Sequence, residues 1–97
     1  SKIFSNNIPA KSDSTIARLE QNSALPVAKS NVPEWAGGHT FNPVYGVTKN
    51  PFNKNKIAGG SSGGSSVALA TKQVWLATGN DLGGSLRTPA SFNNIVG

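Results

Sequence analysis

The 97-residue sequence has no cysteine, which excludes a disulfide framework, a thiolate nucleophile and a cysteine-ligated metal. It has a single histidine, His39, and only four acidic residues against nine basic ones, for a net charge of +5. No apolar run approaches the ~20 residues needed to span a bilayer. The opening stretch, SKIFSNNIPAKSDS, lacks the apolar core of a signal peptide. These absences make a soluble, cytoplasmic protein the default expectation and argue against a membrane partner. The positive charge is dispersed from Lys2 to Arg87, and only Lys49, Lys54 and Lys56 cluster, in a segment that reads as a solvated loop. That distribution argues against a nucleic-acid partner, which a concentrated basic patch would favour.

What the chain does have is glycine and serine in two clusters. The first is Gly59-Gly60-Ser61-Ser62-Gly63-Gly64-Ser65-Ser66, and the second is Asp81-Leu82-Gly83-Gly84-Ser85-Leu86-Arg87. The first alone has the composition of a flexible linker. A linker gives no reason for Gly-Gly-Ser to recur behind an apolar segment and between an Asp and an Arg, so the pair reads as a site.

Periodicity predicts an α/β chain. Ser12, Asp13 and Ser14 can cap a helix over about Asp13 to Gln21, with Ile16, Ala17 and Leu19 on its apolar face and Asn22 as its left-handed stop. Ala24 to Ala28 reads as a short buried strand, weakened by Pro26. Pro33 begins a short helix that Gly37-Gly38 ends, and His39 to Lys56 reads as irregular. Ser65 to Lys72 is helix-compatible, with serines available to cap its start, and Gln73 to Thr78 reads as the next strand. Both serine clusters then fall on turns between elements, where reactive groups are commonly presented.

Familiar glycine-rich sites do not fit. The Walker pattern needs a lysine where Ser65 stands, and no G-x-G-x-x-G occurs. Gly59-x-Ser61-x-Gly63 and Gly60-x-Ser62-x-Gly64 match G-x-S-x-G, but a nucleophile elbow needs a preceding strand, and Asn53-Lys54-Asn55-Lys56 is polar. His39 also precedes the serines, whereas that fold's histidine follows; it reads as a surface or structural residue. A serine nucleophile needs a group to take its proton, and without a following histidine a desolvated lysine is the natural base.

The segments GGSSGGSSVALA at 59–70 and GNDLGGSLRTPASF at 79–92 together resemble the amidase signature family, and the upstream segment from Ser12 to Gly38 and Asn50-Pro51 extend the likeness over nearly the whole chain. The resemblance implies an α/β fold, a mixed sheet flanked by helices, of which residues 1–97 would be a partial domain. It implies amide hydrolysis through an acyl-enzyme by a Ser–cis-Ser–Lys triad, with no cofactor and no metal, acting on a small-molecule amide. Carried onto this chain, Ser85 is the nucleophile and Ser61 the bridging serine, reached through a cis Gly60–Ser61 peptide. Ser62 is a hydrogen-bonding support. The N–H groups of Leu82, Gly83, Gly84 and Ser85 form the oxyanion hole, and Asp81 and Arg87 either act on substrate or pin the turn as an ion pair.

The family's lysine falls upstream of the segment matching Ser1. Lys2, Lys11 and Lys29 match no catalytic position, so the isolated chain is expected to be inactive, and most of the substrate pocket is expected beyond Gly97. Two other readings stand beside this one. In the first, the piece is non-catalytic and self-associates through exposed sheet edges. In the second, it belongs to the A-type component of a tRNA-dependent amidotransferase.

Overall fold

The computed structural model describes residues 1–97 and builds them from three short helices and one small hairpin. Helix α1 (Ser14–Gln21) starts where the sequence places it: Asp13 accepts the Thr15 N–H at 2.8 Å. Its left-handed stop is Ser23 (φ 68°) rather than Asn22 (φ −101°). Ser23 N–H returns to Glu20 C=O and Ala24 N–H to Leu19 C=O, the paired closing bonds of a Schellman motif. Helices α2 (Gly63–Ala70) and α3 (Arg87–Phe92) are likewise followed by a left-handed residue, Lys72 and Asn94 respectively.

The two expected strands do not form. Residues 24–28 and 73–78 carry no ladder, and Leu25, Val27, Trp75 and Leu76 are exposed. A strand exists only where a neighbouring strand accepts its hydrogen bonds, so an apolar β-prone run without that neighbour stays irregular. The stretch expected to be irregular holds the only sheet. Strands β1 (Phe41–Asn42) and β2 (Gly46–Val47) pair antiparallel, Phe41 opposite Val47 and Asn42 opposite Gly46, and a single bridge joins Lys49 to Ile57. Asn42 closes the hairpin by accepting the Val44 and Tyr45 N–H groups. The short helix near Pro33 is one 3-10 turn, Glu34–Ala36, and Trp35 within it has φ 60°. The fold is a small mixed α/β unit, which agrees with the expected class.

The interior is polar. Ala58, Ala90, Pro33 and Pro89 are the only buried apolar side chains, whereas Thr40, Asn42, Asn50, Ser61, Ser62, Ser65, Ser66 and Asn93 are all buried. The chain exposes 7334 Å² at a mass of 10.0 kDa, against about 5,200 Å² for a compact monomer of that size. Directional hydrogen bonds therefore hold this unit more than apolar burial does. Asn50 illustrates the pattern: its carbonyl accepts the Phe52 and Asn53 N–H groups after the Asn-Pro step, and its amide donates to Phe92 C=O at 2.8 Å. One side chain thus shapes a turn and ties it to the end of α3.

Candidate functional site

The two glycine-serine turns meet. Ser62 N–H donates to Ser85 C=O at 3.1 Å, joining the turn before α2 to the turn before α3. The Gly60–Ser61 peptide is cis, as the resemblance implied. Ser61 and Ser62 are each 6% exposed and Ser85 is half-buried.

Thr40 fixes the first turn from outside it. Its hydroxyl donates to Ser61 C=O at 3.1 Å and accepts Gly63 N–H at 2.9 Å, so it supplies the cap that the Ser62 side chain does not make for α2. The sequence expected Ser65 and Ser66 to cap this helix. Instead α2 begins two residues earlier and both serines lie inside it, bonding across the fold. Ser65 Oγ donates to Thr78 C=O at 2.9 Å and lies 2.9 Å from Ser30 Oγ, and Ser66 Oγ donates to Pro89 C=O at 2.8 Å. A helix of such small residues lets other chain come close. A Cβ on Gly64 would run into the backbone O and N of Asn31, so only glycine fits there.

Asn93, fully buried, is the hub behind both turns. Its amide nitrogen lies 2.8 Å from Ala58 O, 2.9 Å from Ser66 Oγ and 2.7 Å from Pro89 O. Ala58 is three residues before Ser61 and Pro89 four after Ser85. Sequence reasoning missed Thr40 and Asn93 because each acts on residues more than twenty positions away, which no local pattern encodes. Their uncharged, ordinary residue types gave no other signal.

The second turn is organised by Asp81. Its carboxylate accepts Gly84 N–H at 2.7 Å, Leu86 N–H at 3.1 Å and Arg87 N–H at 3.2 Å, and it also pairs with the Arg87 guanidinium through Nε at 3.0 Å and Nη2 at 2.8 Å. This is the chain's one ion pair, 15% exposed on the Asp81 side and 72% on the Arg87 side. Arg87 chiefly, then the backbone donors led by Gly84, hold the Asp81 carboxyl far below the usual carboxylate range, and Asp81 in turn raises Arg87. Because the folded state favours the ionised form, the contribution of Asp81 to stability is complete above about pH 4, the ordinary titration point of an aspartate, and is lost as pH falls further. The stability gap between the protein and its Asp81→Asn variant is expected to be constant from pH 5 to 8 and to shrink progressively below pH 4, measured by thermal unfolding across that range.

Of the remaining residues of this turn, Leu82 is fully exposed, Gly83 is exposed, and Gly84 is buried with φ +108°, a conformation that favours glycine. The N–H groups of Leu82, Gly83 and Ser85 have no acceptor within the chain, and the hydroxyls of Ser61, Ser62 and Ser85 have no hydrogen-bond partner. No lysine is in an ion pair, and His39 is exposed. A concavity of about 660 Å³ lies elsewhere, lined by residues that include Phe4, Lys29, Trp35 and Tyr45. The two turns therefore hold hydroxyls and N–H donors that no other group of the chain engages, those of Ser61 and Ser62 buried and the turn from Leu82 to Gly83 exposed.

Comparison with known proteins covers the whole chain. A family model described as Amidase matches residues 1–97. Proteins named as the A subunit of glutamyl-tRNA(Gln) amidotransferase are similar throughout: that of Lactiplantibacillus plantarum is 46% identical over 98 aligned residues, that of Streptococcus mutans 45% and that of Syntrophobacter fumaroxidans 44%. In each case the alignment takes in 100% of this chain and 20% of the relative, so the chain spans a fifth of the length of these proteins. No helix in the structure is long and apolar enough to cross a membrane.

Proposed function

The chain belongs to the amidase family, and on that premise we propose that it supplies the serine half of a site that hydrolyses a carboxylic amide. The observation that carries the reading is the joining of the two turns through Ser62 N–H and Ser85 C=O.

In this reading Ser85 Oγ attacks the amide carbonyl and passes its proton to Ser61 Oγ, which gives its own to a neutral lysine. That lysine comes from outside residues 1–97, where the family resemblance puts it. N–H donors of the turn from Leu82 to Ser85 receive the oxyanion. The tetrahedral species collapses, the C–N bond breaks and the amine leaves with the proton returned through Ser61. Water then attacks the acyl group on Ser85, giving the carboxylic acid and the free serine. Ser62 holds the two turns together, and Asp81 and Arg87 pin the second turn.

The experiment is active-site labelling of the full-length protein that carries this chain. A fluorophosphonate is expected to modify Ser85, identified by peptide mass, and to leave the Ser85→Ala variant unmodified. Amide hydrolysis without labelling at Ser85 would overturn the reading. The relatives' name, which makes them one component of an amidotransferase, supports a second reading in which the whole protein works with partner chains and transfers the amide nitrogen. Release of nitrogen as free ammonia by the purified protein alone would favour hydrolysis over that alternative.

A further inference from the structure

Five hydrogen bonds converge on the Asp81 carboxylate, and one of them changes how the oxyanion turn is read. Gly84 N–H points to Asp81 Oδ1 at 2.7 Å, the shortest of the three backbone bonds to that side chain. It is therefore already engaged, while the N–H groups of Leu82, Gly83 and Ser85 find no acceptor in the chain. Resting on the proposed reading of Ser85 as nucleophile, we infer that the oxyanion is held by three donors, from Leu82, Gly83 and Ser85, and that Asp81 is the positioning residue that turns Gly84 N–H inward so that the other three face the substrate.

The conformation of the turn supports this assignment. Gly84 has φ +108°, Gly84 C=O accepts Thr88 N–H at 2.7 Å, and Ser85 C=O accepts Ser62 N–H. Gly84 C=O, held by Thr88 N–H, shares one planar peptide with Ser85 N–H, so with Ser85 C=O and Gly84 N–H also held the direction of Ser85 N–H is fixed. A carboxylate this near a developing negative charge would oppose it; the Arg87 guanidinium, bonded to both Asp81 oxygens, offsets that charge. Asp81 remains ionised at every pH at which a neutral lysine could work, because Arg87 and the backbone donors stabilise its charged form. Its role is thus geometric, exerted through the backbone, and Arg87 is secondary to it.

The test compares Asp81→Ala, Asp81→Asn and Arg87→Ala in the full-length protein, reading kcat and KM for a simple amide and the rate of fluorophosphonate labelling. Loss of correctly aimed donors is expected to lower kcat in Asp81→Ala by ~10²–10³-fold with KM nearly unchanged, as removal of an oxyanion donor does elsewhere. Arg87→Ala keeps all three backbone bonds to Asp81 and is expected to stay within about tenfold of the parent protein, a loss smaller than that of one oxyanion donor. Asp81→Asn retains one acceptor for Gly84 N–H and is expected to recover part of the loss. Arg87→Ala falling as far as Asp81→Ala would overturn the inference, since the ion pair rather than the backbone bond would then matter. So would Asp81→Ala with unchanged kcat. If Asp81→Ala does not fold, the order of Asp81→Asn and Arg87→Ala decides: Arg87→Ala as the slower of the two overturns it. Turnover surviving in Ser85→Ala would instead refute the underlying reading of the site, a different outcome from any of these.

Discussion

Replacing Ser85 by alanine in the full-length protein is expected to lower amide turnover by roughly 10⁶-fold, as when a serine hydrolase loses its nucleophile. Ser61→Ala is expected to cost nearly as much, although Ser61 forms no bond to substrate, because the proton leaving Ser85 would have no acceptor in line with the lysine. The two serines act as one unit, so the double variant is expected to be no slower than Ser85→Ala alone. Labelling separates their roles further: Ser61→Ala retains a serine at 85 and should react slowly with a fluorophosphonate, whereas Ser85→Ala should not react at all. Steady-state kinetics with single-turnover controls read the comparison. A Ser61→Ala protein with parental kcat would remove Ser61 from the proton path.

The largest loss of stability is expected at Asn93. Its amide is the hydrogen-bond partner of Ala58 C=O and also reaches Ser66 Oγ and Pro89 O, all in a fully buried position. Asn93→Asp conserves shape but sets a carboxylate against two carbonyl oxygens, with no cation in contact. An uncompensated buried charge of this kind costs about 3–5 kcal/mol. Burial pushes the introduced carboxyl above its ordinary range, so the sign is the reverse of that for Asp81. The penalty is full once pH exceeds the folded-state value and eases as pH falls, when the protonated acid gives back one donor. Denaturant unfolding from pH 4 to 8 should show Asn93→Asp growing less stable relative to the parent as pH rises. A flat difference would mean that the carboxylate finds a partner or water at this position.

The two predictions differ in how far the sequence anticipated them. Ser61 and Ser85 were legible because the motifs that surround them are spaced and ordered in a way few sequences share, and their identities alone state the chemistry on offer. Asp81 and Arg87 were legible as a pair but ambiguous in role. Only the geometry shows the Asp81 carboxylate spending three of its five bonds on the backbone of the turn. Asn93 and Thr40 were not legible at all. Each joins segments far apart in the chain, and nothing in an Asn or a Thr reveals which distant carbonyl it will meet.

The same division runs through the secondary structure. Helix α1 and its Asp13 cap could be read from residues next to one another, since a helix is satisfied by bonds within its own length. The β-prone runs at 24–28 and 73–78 could not, because a strand needs a partner and this chain places none beside them. The sequence by itself determined the family and the α/β character, and it named the candidate serines. Tertiary structure decided which turn meets which and what caps α2, because both depend on bonds between residues remote in sequence.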